Sequence, residues 1–107
     1  MPRLRRPRTD TRRDDLARMV RTVVEGPGTL DTGIRRAAFA GTQIADPTAA
    51  RYVDTVVRHA YRVTDEDVEA LLGSGYGESQ ILELTVAAAL GAGQRRLDAA
   101  LRALGEA

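Results

Sequence analysis

His59 is the one side chain in this 107-residue chain whose ordinary pKa suits proton transfer near neutral pH. Asp54 stands five residues before it and Glu66 seven after it. A histidine and a carboxylate that converge in a pocket can act as general acid and base. The candidate catalytic set is therefore His59 with Asp54 or Glu66. The position of His59 also admits a purely structural role, because a ring that can carry positive charge near a helix C-terminus complements the helix dipole.

The rest of the composition removes more chemistry than it supplies. Cysteine is absent, which excludes disulfides, thiolate nucleophiles and cysteine-ligated metal centres. With a single histidine, a metal site built from several imidazoles of one chain is excluded too. No metal and no cofactor are expected. All 16 basic residues are arginine, a usage expected of a GC-rich bacterial genome. Six of them fall in residues 1–13 against Asp10 alone, and the remainder carries a net charge of −4. The body is thus mildly acidic and only the leading segment is basic.

The positioning elements are helices. Residues 1–8 combine two prolines and four arginines with little to bury, so a disordered tail is expected there, followed by one domain over 9–107. A first helix is expected from Thr9 or Asp10 to Glu25, with Leu16, Met19, Val20, Val23 and Val24 on one face. Gly26-Pro27-Gly28 stops it. A second should start at Asp31 as N-cap, run through Ile34, Ala37, Ala38 and Phe39, and end at Gly41. The third has Asp46 as cap and Pro47 at the first helical position, a buried stripe of Ala49, Val53, Val56, Val57 and Ala60, and an end near Arg62.

Thr64 then caps a fourth helix with Asp65, Glu66 and Asp67 in its first turn, Val68, Leu71 and Leu72 facing inward, and Gly73-Ser74-Gly75 as terminator. The fifth is expected from Gly77 or Glu78 to Leu104, with Ile81, Leu82, Leu84, Val86, Leu90, Leu97, Leu101 and Leu104 as its apolar set. Its centre is nearly all small. Gly91 and Gly93 each cost about 1 kcal/mol against alanine in a helix interior, so close approach by another helix, or a kink, is expected there. No strand-like alternation of useful length occurs, and the expected class is all-α with about five helices.

Three further features bear on partners. Tyr76 lies between Gly75 and Gly77, a setting that presents a ring to hold the last two helices together or to meet a partner; with Tyr52 and Tyr61 it fits the ordinary use of amphipathic rings at the ends of a small core. Residues 64–84 have the outline of a helix-turn-helix, but the second helix presents Glu78 and Glu83 and no arginine before Arg95, which argues against DNA binding. No apolar run reaches the ~18–20 residues of a membrane span, and no apolar stretch follows the leading arginines as in a secretory signal. A cytoplasmic location without membrane contact is expected.

The string from Thr64 to Gly93, TDEDVEALLGSGYGESQILELTVAAALGAG, resembles the alkylhydroperoxidase D-like, or carboxymuconolactone decarboxylase-like, superfamily. The likeness is best over about residues 47–104 and lies in an acidic capped helix start, a glycine-containing turn, and an Ile-x-Glu-Leu-like opening to a small-residue helix. It implies a helical bundle that assembles into dimers, trimers or hexamers. Peroxidase members carry a Cys-x-x-Cys-x-x-x-His motif and an upstream glutamate. Counted back from the match, those positions hold Pro47, Ala50, Asp54 and, near the glutamate, Arg35, and His59 lies a turn later than the motif histidine. Thiol peroxidase activity is excluded by the missing sulfur. Decarboxylase members use histidine and acidic residues instead. The resemblance thus implies a non-redox, catalytically degenerate helical homo-oligomer that binds a small molecule or a partner protein, with a cysteine-independent decarboxylase or lactone-processing enzyme using His59 as the alternative.

Overall fold

The computed structural model describes the backbone of residues 8–105 and the side chains of 12–105. Among them it has five α-helices and no strand: α1 (Arg8–Glu25), α2 (Thr32–Ala40), α3 (Pro47–His59), α4 (Asp65–Gly73) and α5 (Glu78–Ala103). A 3₁₀ turn at Ala60–Arg62 prolongs α3 to the expected limit. Apart from Arg8, where α1 begins, the tail expected over residues 1–8 lies outside the described residues. No described helix is long and apolar enough to cross a membrane.

Most helix ends follow from short-range chemistry. Asp46 caps α3 by accepting the Thr48 N–H at 3.2 Å, with Pro47 just inside. Thr64 and Asp67 form a reciprocal capping box at α4: the Thr64 N–H donates to the Asp67 carboxylate at 2.9 Å, and the Asp67 N–H to the Thr64 hydroxyl at 3.3 Å. Gly41 ends α2 at φ 72°, the left-handed conformation that glycine adopts without a Cβ penalty. Asp31 occupies the N-cap of α2, but its side chain makes no capping bond.

α5 is the spine. Every other helix packs against it, most extensively α2 and α3. The core comprises Leu30, Ala38, Ile44, Ala49, Tyr52, Val53, Val56 and Leu71 together with Ile81, Leu84, Ala87 and Ala88 of α5. The small side chains of α5 let α2 come within backbone contact, since a Cβ built on Gly91 would lie 1.9 Å from the Phe39 carbonyl oxygen. Gly93 faces open space instead. The close approach expected at this glycine pair is therefore made by Gly91 alone within the chain.

Three expected inward faces are corrected. Ala60, expected on the buried stripe of the third helix, is exposed in the 3₁₀ turn. On α1 only Val24 is buried, Leu16, Val20 and Val23 are half-buried, and Met19 is exposed, because the early turns of α1 extend beyond the helices it packs on. On α4, Leu71 is fully buried while Leu72 is 43% exposed. Leu72 stands about 100° further round this nine-residue helix, on its solvent side.

Candidate functional site

α3 carries Asp54 and His59, and the first turn of α4 carries Glu66, all exposed. Asp54 accepts a hydrogen bond from Arg58 one turn later at 2.7 Å. His59 turns the other way, its ring packed edge-to-face on Tyr61 with centroids 5.9 Å apart, and Arg62 sits over the same tyrosine. His59 is hydrogen-bonded to neither Asp54 nor Glu66. Among the described residues, no group of three or more histidine, aspartate or glutamate side chains is placed to hold a metal ion.

The concave surface lies beside His59 but does not include it. A cleft of about 480 Å³ runs between the α2–α3 connection, the outer side of α3 and Arg95 of α5. Ile44, Ala50, Val53 and Val57 give it an apolar floor, and Asp54, Arg58 and Arg95 supply its charged rim. Arg95 donates to the carbonyl of Phe39 at the C-terminal end of α2, and its neighbour Arg96 donates to that of Val57 near the end of α3. Helix C-termini present unpaired carbonyls and partial negative charge, which is why cations settle there. The guanidinium has five N–H donors, so a carbonyl contact leaves Arg95 with donors for a second acceptor.

Two polar clusters outside the cleft pin the connections between helices. Arg35, only 4% exposed, donates through Nη1 to the carbonyls of Gly26 at 2.9 Å and Val23 at 3.2 Å, through Nε to that of Leu30 at 3.2 Å, and through Nη2 to the Thr32 hydroxyl at 3.3 Å. Glu83 of α5 reaches the same loop beside it. It accepts the N–H groups of Thr29 at 2.9 Å and Leu30 at 2.8 Å and the Thr29 hydroxyl at 3.0 Å. Arg35 is thus held by three backbone carbonyls and one hydroxyl.

The second cluster joins two connections, α2–α3 and α4–α5. The Tyr76 hydroxyl donates to Oδ2 of Asp46, the carboxylate that caps α3. That bond does most to hold the Asp46 carboxyl below its usual range; partial burial opposes it, and the Thr48 and Ala49 N–H groups reinforce it. Burial pushes the Tyr76 hydroxyl up to about 12, aided by its bond to Asp46 and by the Asp46 charge. For Glu83, burial alone pushes the carboxyl up, but the hydrogen bonds from Leu30 and Thr29 and the Arg35 charge outweigh it, and the net direction is down.

Both carboxylates therefore bind protons more weakly in the folded chain than in the unfolded one. Their contribution to stability is present above the ordinary carboxylate range and is lost as pH falls through the depressed folded pKa values. Denaturant midpoints should fall steadily on acidification from about pH 5 to pH 3, and Glu83→Gln should flatten that slope. In Tyr76→Phe, the Asp46 carboxyl titration followed by carbon NMR should move upward, its largest stabilising contact gone. An unchanged midpoint would show that the hydroxyl does not hold that charge.

Compared with protein-family models, with curated proteins and with solved structures, the chain matches none at a significant level.

Proposed function

We propose that this chain is a non-redox, catalytically degenerate relative of the alkylhydroperoxidase D-like superfamily that self-associates and binds a small apolar acid. The cleft carries the reading: an aliphatic floor of Ile44, Ala50, Val53 and Val57 meets a rim with Arg58 and Arg95. Apolar clefts with a few convergent polar groups suit small ligands, and a planar guanidinium matches a carboxylate in two-point contact. Arg58 is already paired with Asp54, which leaves Arg95 as the anion contact. His59 stands outside the cleft lining, so the binding role needs no proton transfer from it.

The test is titration of the uniformly nitrogen-labelled chain with benzoate and with 3-methylbutyrate. Saturable shifts should concentrate at the amides of Gly41, Thr42, Val57 and Arg95, and Arg95→Gln should weaken them at least tenfold, about 1.4 kcal/mol of binding free energy. Shifts absent at about 10 mM ligand, weaker than the millimolar affinities of simple contacts, would remove the reading.

A further inference from the structure

α5 is apolar on two opposite sides. One side, with Ile81, Leu84, Ala87, Ala88, Gly91 and Ala92, is buried against the other helices. The opposite side presents Leu82, Val86, Ala89, Gly93, Leu97, Ala100 and Leu104, all exposed, with Leu82 63%, Val86 40%, Leu97 48% and Leu104 75% accessible. The spacing along this outer stripe is 4, 3, 4, 4, 3, 4, so positions 82, 93 and 104 repeat at eleven residues. An eleven-residue repeat averages about 3.67 residues per turn, close to a straight α-helix, and keeps one face aligned over the whole length. No charged residue interrupts the stripe, which at 1.5 Å per residue is about 33 Å long.

We infer that this face pairs with the same face of a second copy, antiparallel, about a two-fold axis at Gly93. The inference rests on the reading that the chain self-associates and adds where and in which direction. The spacing is its own mirror image about residue 93. Reversal sets Leu82 opposite Leu104, Val86 opposite Ala100 and Leu97 opposite Ala89, so that in the two inner pairs a large side chain meets a small one. Gly93 falls on the axis, and a Cβ there would meet nothing within 4 Å in the single chain. An isologous contact of this kind closes at two copies.

Direction follows from side-chain size. Antiparallel pairing seats Val86 on Ala100 and Leu97 on Ala89, large against small, and also opposes the two helix dipoles favourably. Parallel pairing would set like beside like.

Sedimentation and disulfide trapping test this together. At about 100 µM, well above a micromolar dissociation constant, the full chain should sediment at twice its mass. Leu97→Glu, which sets a charge against Ala89 of the second copy, should sediment as a single chain while keeping its helical circular dichroism. Because the natural chain has no cysteine, a trap is unambiguous. Val86→Cys mixed with Ala100→Cys should give the mixed disulfide under mild oxidation, and Val86→Cys alone should not join to itself. A single-chain mass for the unaltered protein would overturn self-association altogether. A dimer indifferent to Leu97→Glu would overturn this face, and self-joining of Val86→Cys would overturn the antiparallel direction.

Discussion

Gly91→Ala should lower the unfolding free energy by about 2 kcal/mol or more, the cost of forcing extra volume into a packed contact. Helix propensity alone gives the opposite sign, since alanine exceeds glycine by about 1 kcal/mol in a helix interior. The steric cost wins because of what the added methyl would touch. Its carbon would lie 1.9 Å from the Phe39 carbonyl oxygen and 2.6 Å from the carbonyl carbon. These are backbone atoms at the end of α2, held by the left-handed Gly41 cap and by the Arg95 guanidinium. They cannot rotate aside as a side chain would. Relief would require α2 and α5 to move apart, opening the contact between Ala38 and the alanines of α5. Gly93→Ala is the control: with nothing near its Cβ, it should gain about 1 kcal/mol from propensity when unfolding is measured at dilution, where the chain is monomeric. Urea unfolding of both variants checks the pair, and equal effects would mean that α2 does not press on Gly91.

The contrast between these two glycines marks where a sequence stops being legible. Both stood out as costly in a helix interior, and a close approach followed from that. Which of them made it did not, because two residues 200° apart around a helix face different neighbours, and nothing local identifies the neighbour. The same holds for the α5 leucines. Ile81 and Leu84 look inward, Leu82 and Leu97 outward, and in the one-dimensional pattern they form a single apolar set. Helix ends read more clearly, because Asp46-Pro47, the Thr64–Asp67 box and Gly41 act within a few residues of themselves. The candidate chemistry read least well. His59 was singled out by being alone, and uniqueness carries no information about what surrounds a side chain. The clasp made by Arg35 gave no local signal, since three of its four acceptors are main-chain carbonyls that no residue type advertises.

Arg35 carries the second large effect. Arg35→Leu should cost about 3 kcal/mol or more, in the range measured when one member of a buried polar set is removed and the rest stay behind. The substitution keeps an apolar stem under Leu30 and α2, so lost packing is small. What it strands are the carbonyls of Val23, Gly26 and Leu30, which now share one guanidinium. Glu83 would still hold the N–H groups of Thr29 and Leu30, leaving the loop's donors held and its acceptors free. The loop cannot simply slide to new partners: a Cβ on Gly28 would fall 2.1 Å from a Glu83 carboxylate oxygen and 3.3 Å from Arg35 Nη1, so the backbone at Gly28 lies directly against both side chains. Arg35→Lys should recover only part of the loss, because an ammonium offers a single point of charge where the planar fork reaches three separated carbonyls. If the two side chains act as one clasp, Arg35→Leu and Glu83→Gln combined should cost less than their separate effects added, with a coupling of about 1 kcal/mol. An Arg35→Leu chain within about 0.5 kcal/mol of the original, the range of ordinary surface substitutions, would show that the α1–α2 connection is held by its flanking helices and not by this arginine.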